Sequence, residues 1–192
     1  MRFEKDGISI DVSKVMWDGS DVTVNLTRGT QYQDISCSKL PHSDFKEALE
    51  DLKDIFLEHM ELEKEDFSWR ISMTGVEERE TKNGRTGYRI HAVLSCPGTS
   101  HRLRIASSSL TIPAEGFFEW EDEDGYQKNS PEDYLYFLQD HEIEAIEHVF
   151  QEGFEYAVNG KIAKPEQPDL LDSAEESEEA EDRASGARNL IC

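Results

Sequence analysis

Residues 41–62 read PHSDFKEALEDLKDIFLEHMEL, and the spacing of their apolar side chains decides the fold. Phe45, Ala48, Leu49, Leu52, Ile55, Phe56 and Met60 recur at offsets of 3, 4, 7, 10, 11 and 15, one stripe along an α-helix. Ser43 is placed to cap its N-terminus, with Asp44 near the positive end of the helix dipole. The acids Glu47, Glu50, Asp51, Asp54, Glu58 and Glu61 fill the rest of the circumference. Catalytic carboxylates need burial or close partners to drive their pKa values apart, so this self-repelling set reads as a solvated face.

Beyond this helix the period becomes two. Residues 66–78, DFSWRISMTGVEE, put Phe67, Trp69, Ile71 and Met73 on one face of a strand, and YRIHAVLSC (88–96) does the same with Tyr88, Ile90, Ala92 and Leu94. The Asn-Gly step in KNGRTG (82–87) supplies a hairpin connection between them. HRLRIASSSLTIP (101–113) reads as the next strand, ending before Pro113. Upstream, GISIDV (7–12), DVTVNLT (21–27) and YQDISCS (32–38) also alternate, with WDGSD (17–21) as a turn.

After an acidic connection at 114–133, Ser130, Pro131 and Asp133 signal a second helical region. Leu135, Leu138, Ala145, Ile146, Val149, Phe150, Phe154 and Ala157 continue its apolar face, Asp140 caps a second helix after a break, and Asn159-Gly160 ends it. The expected fold is α+β: a single domain, 1–164, whose antiparallel sheet is covered on one face by two helical regions. The expected order is strands, helix, three-stranded meander, acidic loop, helix.

The 192 residues carry a net charge of −22. Residues 165–192 hold nine acids against two bases, which leaves −15 on residues 1–164. The tail has almost no apolar residue to offset the entropy of ordering, and disorder is expected there. The acidic body repels duplex DNA and anionic membranes over a Debye length of roughly 8 Å. No signal-peptide-like stretch and no run of about 18 apolar residues occurs, so a cytoplasmic protein of a host cell is expected, with no membrane partner.

No constellation for chemistry emerges. Cys37, Cys96 and Cys192 are too scattered for a disulfide framework or zinc site, and Cys37 and Cys96 read as reduced thiols in neighbouring strands. His141 and His148 stand seven apart, where a metal pair on one helix uses three or four. The DEDG at 122–125 fails as a calcium loop, since aligning Gly125 to the sixth position puts Trp120 first and Pro131 twelfth. Neither G-x-S-x-G, a phosphate loop nor G-x-G-x-x-G is present. No catalytic residue, metal ligand or cofactor is expected, and the protein is read as a non-enzyme.

Two places suit a partner. Between Arg79 and Arg104 the bases Arg79, Lys82, Arg85, Arg89, Arg102 and Arg104 face Glu80 alone, a local +5. Arg89 and His91 share one strand face, Arg102 and Arg104 another. An open sheet face of this kind, with Tyr88 and Trp69 nearby, binds single-stranded nucleic acid through Arg85, Arg89, Arg102 and Arg104. The aromatics alternate onto the core side, which favours instead arginines paired with the acidic helices of the same domain.

The second place is QPDLL, 167–171, similar to the Q-x-[S/D]-L-[F/L] peptide by which replication and repair proteins hook into the bacterial sliding clamp. Gln167, Asp169, Leu170 and Leu171 are the contact residues that this likeness implies. The alternative is that the two leucines fold back onto the domain or serve only as linker.

The layout as a whole resembles a group of small, uncharacterised bacteriophage and prophage proteins. The likeness is carried by CSKLPHSDFKEALEDLKD (37–54), ISMTGVEE (71–78), GYRIHAVLSC (87–96), LTIP (110–113) and EIEAIEHVFQEGFEYAVNGKIA (142–163), and covers roughly residues 1–171. Members of the group end in a short Gln-x-Asp-Leu-Phe-like tail; here Leu171 stands where Phe is the stronger residue, and an acidic extension follows.

The resemblance implies no activity. Together with the charge, it leads to the expectation of a phage-type accessory protein acting by protein binding. In one form it is an acidic nucleic-acid mimic that inhibits a basic nucleic-acid-binding host factor. The other form is a replication or recombination accessory protein, which binds single-stranded DNA on the basic sheet face and docks to the sliding clamp through its tail.

Overall fold

The computed structural model describes residues 1–80, 86–113 and 136–163. Strands β2 (Ile8–Trp17), β3 (Val22–Arg28) and β4 (Gln31–Cys37) form one antiparallel meander, and β5 (Ile71–Glu80), β6 (Thr86–Ser95) and β7 (Arg102–Ala106) form a second. β2 and β5 pair antiparallel, so the sheet runs β4-β3-β2-β5-β6-β7. Short strands β1 (Arg2–Lys5) and β8 (Leu110–Thr111) lie beside β2 and β6. Helix α1 (Ser43–His59) follows the first meander and α3 (Asp140–Phe154) the second, with a single turn, α2 (Lys64–Phe67), after α1. Strand-strand-strand-helix thus occurs twice, mirrored about the β2/β5 pair.

Even the irregularities repeat. The register of β2 against β3 slips between Val12 and Lys14, and that of β5 against β6 between Met73 and Gly75. Each extra residue shifts the alternation, so Val12 and Val15, and likewise Met73 and Val76, are buried although three apart. Lys14 and Met16 consequently face away from the core. At the crossing Met16 stands opposite Gly75, whose φ is +150°. A Cβ there would lie 2.0 Å from the Val15 carbonyl oxygen, so the backbones approach closer than any side chain permits.

Both helices cover one face. Phe45, Ala48, Leu49, Leu52, Ile55 and Phe56 of α1 are buried as the stripe predicts, joined by Leu57. Ile146, Val149, Phe150 and Phe154 of α3 are buried in the same core, facing Val15, Val24, Val76 and Ile90 of the sheet. The Phe150 ring lies 6.1 Å from Tyr88, and Phe154 stacks on Phe3 of β1 at 4.7 Å. A buried hydrogen bond, His59 Nε2 to Glu142 Oε1 at 2.9 Å, ties the end of α1 to the start of α3.

The chain then closes on itself. A π-helical turn, Glu155–Asn159, ends at the left-handed Gly160, where the Asn-Gly step predicts a stop. Lys161 pairs with Glu152 (2.8 Å) and Asp44 (2.7 Å), and Ala163 N–H donates to Leu40 O at 3.0 Å. The Tyr156 hydroxyl donates to the carbonyls of Cys37 and Lys39.

Several local expectations change. The alternation does not run back through Trp69: residues 64–67 make a helical turn, β5 begins at Ile71, and Trp69 is 70% exposed. The strand expected over 101–113 breaks at Ser107, whose hydroxyl accepts from Ile90 N–H (3.0 Å) and donates to Ser108 O (2.8 Å). His42, not Ser43, caps α1, its Nδ1 accepting from Asp44 N–H.

Residues 136–139 are not helical, with Phe137 bridging to Thr111; α3 starts at Asp140, and the N–H of Gln139 donates to Glu142 Oε2 at 2.7 Å. Cys37 and Cys96 are free but not on neighbouring strands, Cys37 ending β4 and Cys96 following β6. The hairpin step at 83–84, the helix start at 130–135 and the tail 165–192 lie outside the described residues. Among the described residues no helix is long and apolar enough to cross a membrane.

Candidate functional site

The face of the sheet turned away from the helices is defined by the register. Asp34, Asn25, Lys14, Glu77 and Arg89 stand in one transverse row across β4, β3, β2, β5 and β6. The next row holds Ser36, Thr23, Met16, Gly75, His91 and Ala106. Val93 then stands opposite Arg104, and Ser95 opposite Arg102. Arg89, His91, Arg102 and Arg104, which the sequence places pairwise on strand faces, therefore share one surface. Lys14 and Glu77 join them through the two bulges. Arg85 lies outside the described residues, as do Gln167, Asp169, Leu170 and Leu171.

Glu77 organises the middle of this face. Its carboxylate accepts from Arg79 Nε at 3.0 Å, with Lys14 Nζ at 3.9 Å and His91 Nε2 at 3.4 Å. Burial pushes the Glu77 pKa up, but the Arg79 hydrogen bond and the charges of Lys14, Arg79 and His91 hold it below the usual carboxylate range. Burial pushes the His91 pKa down, with Glu77 pulling the other way. Arg89 Nε and His91 Nε2 are buried without a hydrogen-bond partner of good geometry.

Arg102 and Arg104 differ from the rest. Both are exposed, and neither has an ion pair among the described residues. Among the described residues Arg102 and Arg104 do not pair with the acidic faces of α1 or α3, which cover the opposite face of the sheet. Beside Arg104 a pocket of about 340 Å³ opens between β2, β5, β6 and β7, lined by Lys14, Met16, Thr23, Thr74, His91 and Val93, with Asp18 also in its wall.

Asp18 Oδ1 accepts from Asp21 N–H (2.8 Å), Ser20 N–H (2.9 Å) and the Ser20 hydroxyl (2.8 Å). Those bonds, with Arg104 nearby, lower its pKa to about 2. At the end of β6, Arg70 Nε donates to Ser95 O at 3.2 Å and its guanidinium lies over Phe67 (5.4 Å) and Trp69 (5.8 Å). Arg70, in contact with the exposed Trp69, thus reaches the strand end where Ser95 stands opposite Arg102.

The outer surface of α1 has the opposite sign. Glu47, Asp51, Asp54 and Glu58 are exposed and recur every three or four residues, spanning about 16 Å at 1.5 Å per residue. Lys64 pairs with Asp54. What the sequence reading lacked was Lys14, Met16 and Glu77. The three-residue spacings Val12–Val15 and Met73–Val76, the second containing a glycine, are the signal that could have found them.

No protein-family model matches the chain, and no match is found among curated proteins or solved structures.

Proposed function

We propose that this is a non-enzymatic accessory protein that acts by binding, and that the sheet face left open among the described residues takes single-stranded nucleic acid. The carrying observation is that Arg102 and Arg104 are exposed and make no ion pair among the described residues of an acidic molecule, Arg104 lining a pocket and Arg102 standing opposite Ser95, to which Arg70 and with it the exposed Trp69 are tied. Free guanidinium groups supply phosphate contacts, and an exposed indole supplies a stacking surface that tolerates any base. The acidic remainder lowers non-specific affinity and confines the strand to the one surface that attracts it. A phage-type setting is the one suggested by the sequence resemblance, and docking of QPDLL to a sliding clamp belongs to the same proposal.

The test is fluorescence anisotropy of a labelled 15-nucleotide strand titrated with the full chain at several salt concentrations. Binding that weakens with a log–log salt slope of about −0.7 per phosphate contacted supports the reading. No binding at low salt would refute it. Replacing Arg102 and Arg104 by Ala should reduce the slope by about two contacts.

The carboxylate row on α1 favours a second reading, in which the helix layer occupies the cationic groove of a nucleic-acid-binding factor as a phosphate mimic. Displacement of duplex DNA from such a factor by the wild-type chain, lost in E47Q/D51N/D54N/E58Q, is the outcome expected of it.

A further inference from the structure

We propose that the pocket between β2, β5, β6 and β7 is a nucleotide site, which seats one base-sugar-phosphate unit of the bound strand. This rests on the strand-binding reading and deepens it from backbone attraction to the recognition of a single residue. Its volume, about 340 Å³, is at the lower end of small-molecule sites and matches one nucleotide better than a run of them.

The walls divide by chemistry. Met16 from β2 and Val93 from β6 line the pocket and offer apolar surface to a base, with the His91 ring also in its wall. Arg104 is exposed and has no ion pair among the described residues, so its donors are available to a phosphate. Lys14 Nζ stands 3.9 Å from Glu77, too long for a hydrogen bond, and can turn to the same phosphate.

Asp18 would at first sight repel an anion. Its three hydrogen bonds all use Oδ1 and point it into the 18–21 turn, which leaves Oδ2 to accept from a sugar hydroxyl. Apolar surface from Met16 and Val93, with Arg104 and Asp18 near one another, suits a base whose linked sugar and phosphate lie together beside it. The pocket does not match a simple anion, for which the apolar wall and Asp18 are both unfavourable.

The experiment uses the isotope-labelled full chain, titrated separately with thymidine 5′-monophosphate, thymidine and inorganic phosphate while backbone amide signals are followed. The expected result is saturable shifts at Lys14, Met16, His91, Val93 and Arg104 with the monophosphate, and at least about tenfold weaker binding of either fragment. Val93→Glu should abolish the shifts by placing a carboxylate in the pocket, and Arg104→Ala, at an exposed site, serves where that variant fails to fold.

Equal affinity for inorganic phosphate would overturn the nucleotide assignment, as would shifts confined to Trp69 and Arg102. If the 15-nucleotide strand binds and the monophosphate leaves the pocket signals unmoved, this inference falls while the proposed function stands. If the monophosphate fills the pocket and the strand does not bind, the pocket takes free mononucleotides only, and both the strand-seating inference and the strand-binding reading fall.

Discussion

The two faces of this sheet are made by the same strands and do opposite work. On one, Val12, Val15, Val24, Val76 and Ile90 are fully buried under two helices. On the other, Lys14, Glu77, Arg89, His91 and Arg104 occupy the positions between them, with no helix over them among the described residues. If the open face binds as proposed, stability and recognition are separated by the pleat: a substitution on one face should be felt in folding, and on the other in binding. The predictions that follow probe that separation, the largest expected effect first.

Phe150 is fully buried between α3 and the sheet, its ring 6.1 Å from Tyr88. Phe150→Ala should lower unfolding free energy by about 3–5 kcal/mol through lost transfer energy and an unfilled cavity. Urea denaturation reads it. A loss under 1 kcal/mol would mean that the helix-covered face does not hold the fold together.

Gly75 is where the two faces meet, because its bulge sets the phase of both. Gly75→Ala puts a Cβ against the Val15 carbonyl oxygen at 2.0 Å, and that backbone atom cannot swing aside as a side-chain tip could. The strained φ and the overpacking together should cost about 2–4 kcal/mol. Because β2 must move, the variant should also disturb the amide signals of Lys14 and Met16 on the open face.

Glu142 tests the helix layer through pH. It is buried; burial pushes its pKa up, but hydrogen bonds from His59 and the Gln139 N–H hold it below the usual carboxylate range. Since a carboxylate only accepts, His59 Nε2 carries the facing proton. A depressed folded pKa contributes stability that is present above the unfolded value, near 4.3, and lost as pH falls through the folded value. Glu142→Gln should therefore cost about 1–3 kcal/mol at pH 7, and much of that difference should vanish by pH 3. Parallel urea curves at the two pH values check it.

What the sequence made legible follows from the same separation. The α1 stripe from Phe45 to Phe56 was readable because each member obeys one period, and Tyr88, Ile90 and Ala92 because β6 is unbroken by a bulge. Arg102 and Arg104 were placed on one face for the same reason. Lys14 was not, since the extra residue near Ser13 inverts the alternation within β2 itself. Glu77 could not be assigned to it either: 63 residues separate the two, and only the pairing of β2 with β5 brings them opposite. Trp69 was misassigned to the core because alternation continues in letters through a segment that the backbone folds into a helical turn.

The smallest expected effect on stability is the one on which the comparison depends most. Arg102 and Arg104 are exposed and make no ion pair among the described residues, so replacing both by Ala removes no buried contact and strands no carboxylate. Each change should alter unfolding free energy by less than about 0.5 kcal/mol. Leu103, between them, remains as the 54% exposed edge residue it already is. A double variant that unfolds more easily by 2 kcal/mol or more would show that the arginines brace the sheet, and the division of labour between its faces would fail. An unchanged melting curve together with weaker strand binding would place their contribution in recognition alone.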